Sequence, residues 1–355
     1  MSTRTLGAVR AVTRYEQVPL LAALLVICLY LTIATGGLFF TPDNLTNVLR
    51  ASSIELVAAL GITVALVAGQ VDLSIGSLLA IVGVTTVTAY NSTGSVLVAL
   101  LAGLGIGTLV GLVNGMLVTK LGINSIITTL GMMAVLRGIG YLTTDARAVQ
   151  TDGDALKQIG VGYLGPIPVP VVIAVVVMVL VYLLLNHTVF GRYLYAAGGN
   201  PEAARSAGLP VDKIYIGAFV IVAFAAAISG LITVGRLDSF QPTIGVGFEL
   251  NVIAAVILGG TRLNGGEGTV SGTVLGVLIL GALNNGLVLL DVNSFWQDVV
   301  RGTVIILAVA IDEARRRRRN ARFRREAPAE EEPSPAGVAG PGGTGGSASA
   351  TARGV

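Results

Sequence analysis

The chain reads as an all-α, polytopic membrane protein of about ten transmembrane helices with inverted repeats between its halves. Three observations carry that reading. Of 355 residues, 53% are hydrophobic and 12% charged, against about 25% charged in a soluble domain. Fourteen of the 43 charged residues lie beyond Asp312, so the first 312 positions are poorer still. The apolar residues form long unbroken runs rather than alternating, which fits membrane helices and not barrel strands. Mean hydropathy is +0.81.

Taken in order, Arg4, Arg10 and Arg14 precede an apolar run from Val18 to Ala34. No clear small-x-small cleavage site follows it, and the run is long enough to span, so we read an uncleaved first helix rather than a signal peptide. Further spans are expected near 52–70, 75–90, 95–118, 124–143, 169–186, 213–235, 250–260, 270–290 and 295–312, with the first covering 18–38. Two of them, 75–90 and 250–260, are shorter than the ~20 residues of a full crossing. The N-terminal arginines and the Arg315 to Arg319 run both prefer the cytoplasm, and an even number of crossings satisfies both. That parity gives a multi-pass plasma-membrane protein with both termini cytoplasmic. It puts 144–168 outside, where Asp152, Gly153, Asp154, Lys157 and Pro166 suit a solvated loop. It puts Arg192, Arg205 and Lys213 inside. Residues 1–312 are then the membrane domain and 313–355 a disordered cytoplasmic tail without apolar periodicity. The tail's arginines either meet anionic lipid headgroups or merely solubilise. The formal charge of +3 comes mostly from juxtamembrane arginine, an orientation signal rather than a nucleic-acid footprint.

Between the sixth and seventh spans stands a short polar helix, Gly199-Asn200-Pro201-Glu202-Ala203-Ala204-Arg205-Ser206-Ala207-Gly208-Leu209-Pro210. Asn200 suits the N-cap, Pro201 the first helical position, and Glu202 the positive end of the helix dipole. Gly208 can take the left-handed residue after the last turn, and Pro210 stops continuation. A helix from Pro201 to Ala207 is about 10 Å long at ~1.5 Å per residue and cannot span. Held between two spans, it is a candidate contact for a soluble partner.

Inside the membrane, Gly103, Gly107, Gly111 and Gly115 recur every four residues, a spacing that serves intramolecular packing or an oligomer interface. Gly272, Gly276, Gly281 and Gly286 do something similar less regularly. The halves echo each other: Asp72-Leu73-Ser74 precedes one short span and Glu249-Leu250-Asn251 the other. Asn114-Gly115 with Asn124-Ser125 likewise matches Asn285-Gly286 with Asn293-Ser294. An offset of five spans inverts the second copy, and inverted repeats with matched short spans point to a transport path between them. Asp72 or Ser74 either caps the helix starting at Ile75, or Asp72 lines a watery path and accepts hydrogen bonds from a polyol. Asn114, Asn284 and Asn285 suit neutral hydroxyls and interhelical hydrogen bonds equally. Asp72, Ser74, Asn114, Glu249, Asn284 and Asn285 are therefore the candidate substrate path.

Enzyme chemistry is not expected. The chain has no Gly-Lys dipeptide, so no phosphate-cradling Walker loop can be assembled. Cys28 is the one cysteine and His187 the one histidine, which leaves no metal cluster and no nucleophile–base pair. No catalytic residue and no cofactor is assigned.

These motifs, taken together, resemble the permease subunits of bacterial ATP-binding-cassette importers for simple sugars, of the ribose/xylose/arabinose branch. Val71-Asp72-Leu73-Ser74-Ile75-Gly76-Ser77 is similar to the family's hallmark near the second span. Phe190-Gly191-Arg192-Tyr193, followed by Gly199-Asn200-Pro201-Glu202-Ala203-Ala204 and Ala207-Gly208, resembles its ATPase-coupling loop. Leu258-Gly259-Gly260-Thr261, Gly265-Gly266-Glu267-Gly268-Thr269-Val270 and Leu283-Asn284-Asn285-Gly286 resemble its C-terminal signature, completed by Ser294-Phe295-Trp296-Gln297. The resemblance covers about residues 40–312 in order; Gln70-Val71 and Asn124-Ser125 depart from the usual pattern. It implies a homodimer, an ATPase subunit on the cytoplasmic face, and an extracytoplasmic sugar-binding protein. Asn200, Pro201, Glu202, Ala203, Ala204, Arg205 and Gly208 would couple to the ATPase. The rival readings are a proton-driven secondary sugar transporter, for which Asp72, Glu55 and Glu249 are the carboxylates at hand, and a passive facilitator.

Overall fold

The computed structural model describes residues 3–310 apart from 238, 294, 298, 301, 304, 305 and 307–309, with side chains from residue 17 onward. Residues 1–313 pack as one unit. The expected tail, and half of the expected tenth span, lie outside the described residues.

Eight helices among the described residues are long and apolar enough to cross a membrane. They are α1 (Thr3–Ala34), α2 (Pro42–Val67), α3 (Ile75–Thr93), α4 (Val96–Lys120), α5 (Ser125–Thr144), α7 (Val169–His187), α10 (Val211–Arg236) and α12 (Val270–Leu289). Between them lie a one-turn α6 (Lys157–Gly160), α8 (Val189–Gly199), α9 (Pro201–Ser206) and α11 (Phe248–Leu258). The expected short span at 75–90 runs on to Thr93, where Gly94 turns left-handed and ends it. The expected short span at 250–260 is short: α11 has 11 residues, about 16 Å of helix.

Helices α2, α3 and α10 form the centre. Val57, Leu60, Ile62, Leu66, Leu78, Phe219 and Val222 are fully buried there. Helix α1 lies at the rim, with nearly all of Gln17–Ala34 exposed or only partly buried. The α4 glycine stripe packs within the chain: a Cβ on Gly107 or Gly111 would lie 2.6 Å from the Ala227 or Ala223 methyl of α10, and one on Gly115 2.8 Å from the Ile216 Cα. Two helices approach that closely only where the side chain is a hydrogen. The second stripe divides its work, with Gly272 and Gly276 against α11, Gly281 against Ser52 and Gly286 against Leu31.

The segment expected as a solvated loop is largely exposed, Asp152, Gly153, Asp154 and Pro166 included, and it also carries short paired strands. Its β1 (Val149–Gln150) pairs antiparallel with β4 (Ser239–Phe240), and β2 (Tyr163–Leu164) with β3 (Ile167–Pro168). Arg50 of α2 lies over the Tyr163 ring at 4.7 Å and donates to the Val161 carbonyl at 2.9 Å. The sequence did not show this because the pairing partner of β1 is some 90 residues away.

Candidate functional site

Residues 68–74, between α2 and α3, are not helical. Helix α5 satisfies part of their backbone: the Val71 N–H donates to Ser125 Oγ at 3.4 Å and the Leu73 N–H to Thr129 Oγ1 at 3.1 Å. Asp72, Ser74 and Asn114 are each fully buried there. Asp72 Oδ1 accepts from the Ser74 N–H at 2.8 Å and from Ser74 Oγ at 2.6 Å. Asn114 Nδ2 donates to Ser74 Oγ at 3.1 Å. Neither Asp72 nor Ser74 caps α3: Ser74 holds the cap position in helical conformation without a side-chain cap bond. The cap expectation is thus corrected to a side-chain turn, Asp72 onto Ser74, that leaves the free N–H groups of α3 unclaimed by either residue.

Two acceptors of this cluster, Asp72 Oδ2 and Asn114 Oδ1, are buried without a hydrogen-bond partner, and so is Glu249 Oε2 on α11. A carboxylate at membrane depth costs ~2.5–3.5 kcal/mol on insertion scales. Open acceptors in such a place suit hydroxyl donors. Glu249 does not precede α11 as the sequence suggested but sits in its first turn. The starts of α3 and α11 abut, since a Cβ on Gly76 would collide with both Glu249 Oε2 and the Gly245 carbonyl. The structure therefore brings together Asp72, Ser74 and Asn114, with Glu249 against the next turn of α3. It places Asn285 elsewhere: its amide pairs reciprocally with Asn44, at 3.0 and 2.9 Å. Asn284 is also engaged in an interaction.

Helix α9 is built as its letters require. Asn200 Oδ1 accepts from the Glu202 and Ala203 N–H groups at 3.1 and 3.0 Å, and Pro201 opens the helix. It ends one residue earlier than expected: Ala207 is the C-cap, Gly208 has φ +81°, and the Leu209 N–H returns to the Ala204 carbonyl at 3.0 Å. Ala204 faces inward while Glu202, Ala203 and Arg205 are exposed. Arg205 and Lys120 both reach Asp212, at 3.5 and 3.7 Å, exposed pairs of small energetic weight.

What the sequence did not reveal is how α9 is tied to the buried cluster. The end of α8, the end of α2 and the 264–268 loop meet at glycines. A Cβ on Gly198 would collide with the Val67 carbonyl, and one on Gly265 would lie 2.6 Å from the Gly198 carbonyl and 2.8 Å from Gly69. The Gly266 N–H donates to that Val67 carbonyl at 2.9 Å, and Tyr195 of α8 donates its hydroxyl to the Gly268 carbonyl at 2.8 Å. Burial raises the Tyr195 phenol above its ordinary pKa, so it stays a donor. Arg137, also unmarked by any motif, lies in α5 and bonds the carbonyls of Pro242 and Ile244. Among the described residues no group of His, Cys, Asp and Glu could hold a metal ion.

A bundle of membrane-crossing helices, an exposed capped helix tied to a broken buried segment, and open acceptors along that segment define a membrane permease. Residues 44–309 match the family model described as branched-chain amino acid transport system / permease component, and the chain belongs to that family. It is 40% identical over 322 residues to the ribose import permease protein RbsC of Escherichia coli strain K12, covering 89% of this chain and 100% of that protein. The L-arabinose transport system permease protein AraH of the same strain is 38% identical over 279 residues, 79% of this chain and 85% of that protein. The ribose import permease protein RbsC of Bacillus subtilis strain 168 is 40% identical over 279 residues, 78% of this chain and 87% of that protein. No solved structure matches. The resemblance read from the motifs thus holds over most of the chain.

Proposed function

We propose that this chain is the membrane subunit of an ATP-driven importer that moves a monosaccharide, pentose or hexose, into the cytoplasm by alternating access. It works as a homodimer, with an ATPase subunit docked on α9 from the cytoplasm and a sugar-binding protein delivering substrate from outside. Both termini are cytoplasmic, residues 1–312 form the permease domain, and the chain carries no nucleotide site of its own. The relatives named above are ribose and arabinose permeases, which supports the substrate class.

The observation that carries this reading is the mechanical link from α9 to Asp72. An ATPase that moves α9 moves α8, and the Gly198–Val67 contact passes that motion to the foot of the segment holding Asp72, Ser74 and Asn114. Neither a proton-driven carrier nor a facilitator has use for such a docked lever. Purification from detergent tests it: an ATPase should co-purify and its turnover should rise with a sugar-loaded binding protein. Uptake should survive collapse of the proton gradient while ATP is maintained; uptake that falls with the gradient instead defeats the proposal.

A further inference from the structure

The permease reading leaves Arg137 unexplained. It lies well inside α5 (Ser125–Thr144), a span of otherwise apolar and small polar residues. A guanidinium at that depth must find acceptors, and it finds them on a single neighbouring segment. Its Nη1 donates to the carbonyls of Pro242 and, at 3.0 Å, Ile244. One turn further along α5, Gly140 leaves room for the Pro242 ring, to which a Cβ would come within 3.2 Å. Glu249, beyond the same segment, lies within electrostatic reach of Arg137 and keeps one buried oxygen without a partner.

The segment's course gives this contact a purpose. It leaves the β1–β4 pairing at Phe240 and runs to α11 along one face of α3. At one end the Phe240 ring fills the space a Gly83 side chain would take; at the other, a Cβ on Gly245 would crowd the Gly76 carbonyl. Gly76, Ala80 and Gly83 share that face by their four- and three-residue spacing, and Ala80 is 3% exposed. The carbonyls of 242 and 244 could not lie over an apolar helix face at this depth without a donor, and Arg137 is that donor.

We propose that residues 240–249 are a strap closing the transport path on the side of the 145–168 loop, and that Arg137 is the positioning residue that holds it in place. The inference rests on the permease reading for there being a path at all. Because Arg137 binds backbone carbonyls rather than a carboxylate, the strap can leave as one piece when α5 moves, its carbonyls passing to water.

The test is thiol accessibility in the full chain with Cys28→Ser and Ala80→Cys, solubilised in detergent and treated with a cationic methanethiosulfonate reagent. With Arg137 present, the reporter should react slowly. Arg137→Ala should raise the modification rate roughly tenfold or more by local opening. Arg137→Lys should give an intermediate rate, since an ammonium lacks the guanidinium fork. Gly76→Ala displaces the strap from the α3 side with Arg137 intact and should raise the rate too, which keeps the test sound should Arg137→Ala not fold. A reporter that reacts fast with Arg137 present overturns the proposal, and so do equal rates across the folded variants. The labelling needs neither sugar nor ATPase. Expected labelling without ATP-driven uptake therefore defeats the functional reading and leaves the strap, whereas uptake with unchanged labelling defeats the strap alone.

Discussion

The Gly266 N–H donates to the Val67 carbonyl across 2.9 Å, joining two stretches almost 200 residues apart in sequence. Gly198 packs on that same carbonyl, so three chain segments share one acceptor's surroundings with no side chain between them. Gly198→Val should therefore wedge α8 from α2, an overpacking effect of about 1–3 kcal/mol. The expected result is a chain that inserts in the membrane and retains its ATPase in pull-downs but has lost ATP-driven uptake. Normal uptake of radiolabelled ribose or arabinose by this variant would deny the junction any coupling role.

The docking helix makes a second prediction. Asn200 satisfies two N–H groups with one oxygen, so Asn200→Ala should weaken α9 by about 1 kcal/mol while Asn200→Asp should not. Gly208→Pro is more severe: proline fixes φ near −65°, where this residue needs +81°, and removes the N–H that bonds Arg205. Uptake should be abolished and ATPase co-purification lost, with membrane insertion preserved.

Asp72 separates packing from function. In Asp72→Asn the remaining carbonyl can still accept from both groups of Ser74, so folding should be close to normal. In Asp72→Ala both donors lose their acceptor inside the protein, a loss of about 1–3 kcal/mol. If the second carboxylate oxygen serves sugar hydroxyls, the Asn variant folds yet loses uptake, because an NH2 group cannot accept. Thermal unfolding in detergent beside an uptake assay distinguishes the two effects.

How much of this was legible beforehand follows the range of the forces involved. Asn200, Pro201 and Gly208 act within a few residues of themselves, so α9 could be read letter by letter and missed by a single residue at its end. Most span positions followed from apolar runs for the same reason, but α2 starts at Pro42, ten residues before the expected 52, because its first turns carry Asp43, Asn44 and Arg50. Asp72 was visible as an anomaly, but Asn114, which donates to its partner Ser74, lies 40 residues from Ser74, and the sequence left capping and lining open. Arg137 and the Gly198–Val67–Gly266 junction were invisible, because their meaning lies in backbone carbonyls that no side-chain pattern encodes. The glycine stripe of α4 lay between these cases: its spacing announced close approach, while only the partner helix decided that the approach was to α10.

Asn285 tests where the path ends. Its amide exchanges two hydrogen bonds with Asn44 at 3.0 and 2.9 Å, and Asn44 also donates to the Phe39 carbonyl at 2.8 Å. Asn285→Ala strands one side of the pair, and Asn44→Ala with it should recover part of the loss. The coupling between the two should be about 0.6–2 kcal/mol, the range of interhelical hydrogen bonds in membranes. A double-mutant cycle on detergent unfolding measures it. Since the pair joins α2 to α12 rather than facing Asp72, uptake per folded transporter should be unchanged in all three variants. Uptake lost in Asn285→Ala with stability intact would instead return Asn285 to the path.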